Sequence, residues 1–198
     1  MKNVSFLKLD MLRELGSIGA GRAATSLSEL VSTQVNIAVP DIRLYPFQKI
    51  IDLFKEEEYF ILRADLSGDI MGVEFLLLSI GETRALSGML LGMEPAAVNV
   101  DDEMAQSSLK EAANILLSSY MNALSDLTGF SILAGVPELH PHIHKTEVEK
   151  CITEIPTTDI ICVKSHLAIE RMGFDALVLF VPAEKSLQTM FTKLGLPE

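Results

Sequence analysis

Across residues 102–128 apolar side chains recur at helical spacing, with Leu109, Ala112, Ala113, Leu116, Leu117, Tyr120, Met121 and Leu124 on one face. The pattern predicts a long helix, stopped by Gly129 and followed by a strand over 130–133. The opening of the chain has the same order: a helix from about 7 to 32, an alternating stretch over 34–39, then Pro40. Further strands are expected at 58–65 and 70–79, with a short helix at 81–91. The second part offers strands at 146–154, 158–168 and 175–181 and a helix at 184–194. Hairpin-connected strands between helices favour an antiparallel sheet packed against helices, the α+β class, over alternating βαβ units.

An internal repeat orders these elements. A shift of 97 positions places Leu12 on Leu109, Glu14 on Glu111, Ile18 on Ile115, Leu27 on Leu124, Ser28 on Ser125, Leu30 on Leu127, Val39 on Val136 and Pro40 on Pro137. A shift of 103 brings Phe75-Leu76-Leu77-Leu78 onto Val178-Leu179-Phe180-Val181, and Leu91-Gly92 onto Leu194-Gly195. Residues 1–198 are therefore expected to form a single domain of two homologous halves, about 1–100 and 101–198, sharing one sheet and one core.

Composition narrows the function classes. The 198 residues are 48% hydrophobic, enough for a sizeable core without a disulfide or metal staple. Lys+Arg 16 against Asp+Glu 27 gives a net charge of −11, which argues against a nucleic-acid backbone as the main partner. No apolar run approaches the ~18 residues of a membrane helix. The N-terminus is interrupted by charge before a signal-peptide core could form, so a cytoplasmic location is expected. Cys151 and Cys162 form no CxxC and read as reduced, mainly structural thiols.

Two motifs lie on the predicted helices. Gly19-Ala20-Gly21-Arg22-Ala23-Ala24 matches the GxGxxA form of a dinucleotide fingerprint, but it sits within helical spacing rather than after a strand. Close packing of helix backbones through glycine is the expected use. On the second-half helix, Ser107, Glu111, Asn114 and Ser118 stand within an arc of about 60°, one polar stripe opposite the apolar face. Polar spacing alone describes an ordinary solvated face. The same phase in the first half, at Asp10, Glu14 and Ser17, is harder to attribute to solvation.

The pattern [Asp/Ser]-x-x-x-Glu-x-x-Asn, then 22 residues and Pro, resembles the signature of the CheC/CheX/FliY family of chemotaxis phosphatases. It stands here as Ser107, Glu111, Asn114 and Pro137, and with one change as Asp10, Glu14, Ser17 and Pro40. The stretch from Glu14 to Gly21 is also similar to the Gly-rich opening of CheC proteins, and the two-half plan resembles CheC along essentially the whole chain. The resemblance implies hydrolysis of the aspartyl phosphate on a CheY-type response regulator. Asn114 would orient the attacking water and Glu111 would pair with the receiver's active-site lysine. The divalent metal is expected on the receiver, with no cofactor in this chain. Ser17 departs from the family's Asn, so one competent site at Glu111/Asn114 and a weakened or silent one at Glu14/Ser17 are expected. The alternative is an adaptor of the same fold that binds a response regulator or the deamidase CheD without turnover. A structural component of the flagellar switch is disfavoured, since the chain leaves no room for an additional C-terminal switch domain.

His140, His142 and His144 alternate and would share one face of a strand, a possible transition-metal site, although Pro141 points to a loop or an edge strand instead. Glu56-Glu57-Glu58 reads as a solvated turn or strand entry.

Overall fold

The computed structural model describes residues 6–38, 40–153, 157–169 and 172–193. The first half runs α1 (Phe6–Val31), β1 (Val35–Ile37), β2 (Asp41–Pro46), a 3-10 segment (Phe47–Leu53), β3 (Glu58–Gly68), β4 (Gly72–Ser79) and α2 (Ile80–Leu91). After a 3-10 turn (Pro95–Ala97), the second half runs α3 (Glu103–Thr128), β5 (Ile132–Ala134), β6 (Glu138–His144), α4 (Lys145–Thr153), β7 (Asp159–Ile169), β8 (Met172–Pro182) and α5 (Glu184–Lys193). Every strand pairing is antiparallel. The architecture is α+β, as the hydrophobic pattern implies.

The sheet is interlaced. Its eight strands follow the order β1-β7-β8-β4-β3-β5, with β2 also on β7 and β6 also on β3. Each half therefore lends its short strands to the long hairpin of the other. Exchanging the halves (β1 for β5, β2 for β6, β3 for β7, β4 for β8) leaves this order unchanged, and α1 and α3, of 26 residues each, are offset by 97, as are the three-residue strands β1 and β5.

Alternation along the strands divides the apolar residues into two layers. One, which includes Phe60, Leu62, Leu76, Leu78, Val178 and Phe180, lies under α1, α2, α3 and α5. The other, with Tyr59, Ile61, Phe75, Leu77, Cys162 and Leu179, lies under the 3-10 segment and α4. These layers correct the offset of 103 read from the later strands. That shift sends Phe75, in the second layer, to Val178, in the first. An offset of 102 sends Leu76 to Val178 and Leu78 to Phe180 within one layer, and Leu76 and Val178 are partners in the ladder. A one-residue slip exchanges every inward side chain for an outward one, so similar apolar runs aligned by residue type alone misplace the register.

Residues 145–153 form a helix rather than the expected strand. Val148 and Ile152 stand four apart and both are buried, the face of a short amphipathic helix. The strand β2 lies where no strand was expected, and β6 takes the edge-strand alternative that Pro141 left open. The expected helix stop holds: Gly129 takes φ 70, and its N–H caps the Ser125 carbonyl at the end of α3. Val39, Leu194, Gly195 and residue 154 lie outside the described residues.

Candidate functional site

Burial sorts the residues of α3 by side. Ala105, Leu109, Ala112, Ala113, Leu116, Leu117 and Tyr120 face the core, whereas Ser107, Glu111 and Asn114 are exposed and Ser118 is half-buried. The polar stripe is thus the outer side of a helix whose inner side is locked. Deep in the core the Tyr120 hydroxyl and Ser165 of β7 share a hydrogen bond of 2.8 Å, joining α3 to the sheet six residues past Asn114. The Ser118 hydroxyl donates to the Asn114 carbonyl and Ser119 to that of Ile115. Among the described residues, neither the Glu111 carboxylate nor the Asn114 carboxamide has a hydrogen-bond or ion-pair partner. A free carboxylate and a free amide, about one turn apart on a held helix, are available to a second molecule.

The first-half stripe is built the same way. Asp10, Glu14 and Ser17 are exposed on α1, and only Asp10 is engaged, 3.6 Å from the Arg13 guanidinium. Pro40 is buried behind it. A methyl added at Gly16 would collide with Ile42 and lie 3.0 Å from Pro40 Cγ, so glycine lets α1 seat on this segment beside Ser17. Pro137 is likewise buried, just ahead of β6. The structure thus brings Glu111 and Asn114 together on α3, and Glu14 and Ser17 on α1, with each proline as packing behind rather than as a contact face.

The glycine motif acts between helices. A methyl at Gly19 would enter the Tyr120 ring and lie 3.1 Å from the Tyr120 Cα, whereas Gly21 faces open space. Beside this crossing, α1 and α3 enclose a cleft of about 370 Å³ lined by Arg22, Thr25, Ser26, Ile115, Ser118 and Asn122. Arg22 reaches across to Asp126 in an exposed ion pair. The cleft and the stripe share Ser118. The sequence reading named Ser118, Ile115 and Arg22 separately, in the stripe, the repeat and the glycine motif, but did not join them, because a groove between two helices has no periodicity of its own.

A second cavity of about 290 Å³ opens on the opposite sheet face, with Phe54, Tyr59, Leu77 and Cys162 in its lining. Its rim charges are compensated within the chain, Arg43 with Asp41 at 2.8 Å and Lys164 with Asp175 at 2.9 Å. Burial, with the charge of Asp41, pushes the Cys162 thiol up to about 12, so it is a neutral packing group. No residue of either stripe lines this cavity.

The three histidines do not share a face. β6 is an outer strand on β3, as Pro141 suggests, and a bulge between Tyr59 and Ile61 with His142 at φ 55 interrupts the alternation. The ring nitrogens of His142 meet Glu58 at 3.0 Å and Asp101 at 2.8 Å, while His140 Nε2 is buried without a partner. Those two carboxylates, Asp101 first, raise the His142 pKa. In the acidic run, Glu58 meets His142, Glu57 accepts from the Tyr59 hydroxyl and Glu56 pairs with Lys145 at 3.2 Å. Among the described residues no group of three or more His, Cys, Asp or Glu side chains could hold a metal ion, and no helix is long and apolar enough to cross a membrane.

Comparison with known proteins matches both the helices and the fold as a whole. The CheC-like family model matches residues 7–43 and 104–140, two windows separated by the repeat's own offset of 97. The CheY-P phosphatase CheC of Bacillus subtilis is 26% identical over 200 residues, spanning 95% of this chain and 94% of that protein. Among solved structures, Thermotoga maritima FliY has the same fold, with a TM-score of 0.80 at 21% identity over 98% of each chain. A chain of the CheX–CheY–BeF3–Mg complex from Borrelia burgdorferi matches at a TM-score of 0.53 and 17% identity, over 85% of this chain and 98% of that one. The chain is thus matched by the CheC-like family model in both halves at its internal offset, and it is similar to CheC along nearly all its length.

Proposed function

We propose that the protein hydrolyses the aspartyl phosphate of a phosphorylated CheY-type response regulator. The observation that carries this reading is the exposed, unpartnered pair Glu111 and Asn114 on a helix anchored from behind by Tyr120 and Ser165. The B. subtilis relative is named as a phosphatase for this substrate, and a chain of similar fold occurs in a structure with CheY.

The residue types suit the chemistry. A phosphorylated receiver already holds its metal and phosphoryl group, so catalysis reduces to placing and polarising a water. The Asn114 carboxamide both donates and accepts, and can hold that water in line with the phosphorus. Glu111, one turn earlier, would pair with the receiver's lysine and set the docking angle. Neither role requires a shifted pKa or a metal in this chain. At Glu14/Ser17 the carboxylate remains, but a hydroxyl is shorter than a carboxamide and has a single donor, so this site would contribute little turnover.

The Ser17 substitution also favours a second reading, an adaptor of the same fold that binds a receiver or the deamidase CheD without hydrolysis. Decay of phosphorylated CheY from the same organism, followed with catalytic amounts of this protein, separates the two. Acceleration by the wild type that is lost in folded Asn114→Ala and Glu111→Ala variants supports the phosphatase. Binding without acceleration supports the adaptor.

A further inference from the structure

A carboxylate and an amide are too small to dock a protein by themselves. A specific interface covers roughly 800 Å² on each partner and draws most of its affinity from a few apolar or aromatic anchors near its centre. The outer face of α3 extends past the pair in both directions. Fourteen residues on, from position 104 to position 118, the helix has risen about 21 Å. At the head of that path stands Met104, 70% exposed, whereas the other apolar residues of the N-terminal half of α3 turn inward. Met104 and Glu111 are seven residues apart, which brings them back to the same face within about 20°. At the other end, Ser118 joins the stripe to the cleft between α1 and α3, where Arg22 and Asn122 add polar groups.

We infer that the receiver-docking surface runs along the outer face of α3 from Met104 to the α1–α3 cleft, with Met104 as its apolar anchor. This rests on the functional reading above. The occupant is the receiver because the face is continuous with Glu111 and Asn114: Met104 lies about 10 Å from Glu111 along the same face, within the footprint of a standard protein interface centred on that pair. A thioether suits such a site, since its unbranched, polarisable chain adapts to the surface it meets. Met104 would be a positioning residue, acting on encounter rather than on the water.

Three variants decide this, assayed with the phosphorylated CheY-type receiver of the same organism, and by direct binding to that receiver loaded with beryllofluoride and Mg²⁺. Met104→Ser should raise KM and Kd at least fivefold with kcat within twofold, and Met104→Leu should restore both. Leu133→Ser is the control. Leu133 is 63% exposed, but it neighbours core-facing Ile132 in β5 and so points to the opposite sheet face. It should behave as wild type. Equal effects of Met104→Ser and Leu133→Ser, or no effect of Met104→Ser, would overturn the inference. If the wild type binds but does not turn over, the phosphatase reading fails, and the binding arm still tests Met104. If it does not bind, both fail.

Discussion

Helices α1 and α3 occupy equivalent positions, with equal lengths and matching exposed stripes, yet they differ on both sides. Outside, Ser17 stands where α3 has Asn114. Inside, α1 presents Gly16, Gly19, Ala20 and Ala23 at positions whose counterparts on α3 are Ala113, Leu116, Leu117 and Tyr120, all of them buried. The small set makes α1 a platform on which the Tyr120 ring lies, and the large set lets α3 reach through to Ser165. Of these two equivalent helices, one carries the amide and the buried anchor, and the other supports it. The strands carry a similar asymmetry. Glu74, fully buried with both carboxylate oxygens unpartnered, corresponds at the layer-preserving offset to the buried Ala176.

The largest break in this comparison should come from Asn114→Ala, with a loss of about a hundredfold or more in receiver dephosphorylation, as for removal of a single positioned polar group in other active sites. Circular dichroism and thermal melting should remain those of the wild type, because the side chain is exposed; a comparable loss in Ser17→Ala would refute the assignment of chemistry to α3. Next comes Glu74. Burial holds its carboxyl up at about 8, far above the ordinary value of 4.5. A raised folded-state pKa means that stability is greatest below the ordinary value, declines as pH rises, and levels off above about 8. Denaturant unfolding at pH 5 and pH 8.5 should differ by a few kcal/mol (about 1.4 kcal/mol per pKa unit) in the wild type, and that slope should flatten in Glu74→Gln.

The platform role of α1 is tested by two glycines. Gly19→Ala should cost about 1–3 kcal/mol through overpacking on Tyr120. Gly21→Ala, in open space on the same helix, should gain about 0.5–1 kcal/mol. Urea titration of the pair resolves the sign. Ser17→Asn sharpens the comparison from the other side: about a twofold rise in turnover per molecule, and partial activity in an Asn114→Ala background, are expected if only the amide separates the two stripes.

The smallest effect concerns His142. Both ring nitrogens face carboxylates, which only accept, so the imidazole is protonated when both bonds form; His144 also lies 3.8 Å from Glu58. Its raised pKa makes this link between β6 and the approach to α3 complete below about pH 6.5 and lost as pH rises through the shifted value. An NMR titration should place His142 above the ordinary histidine value, and His142→Gln should remove the corresponding drift in melting temperature.

Much of this was legible along the chain. The offset of 97, the bounds of α1 and α3 and the exposed phase of both stripes follow from periodicity, which reports the local environment of a helix directly. The strand register was not legible: the runs around Phe75 and Val178 are apolar on both faces, so the pattern that normally marks the inward side is missing. The helix over 145–153 was not legible because only Val148 and Ile152 mark its buried face, too few positions to fix a period. The α1–α3 cleft and the His142 contacts join residues from separate elements, which no window along the chain contains.

By itself, then, the sequence determined an α+β chain with a repeat at an offset of 97 and put Glu111 and Asn114 forward as candidates, because helix phase and motif spacing are local properties. Tertiary structure alone decided that the halves interlace through one sheet, that Tyr120 uses the space left by Gly19, and that the stripe continues into a cleft. Those outcomes depend on which distant surfaces fill each other's volume, and close packing is a condition on the assembled whole rather than on any segment of it.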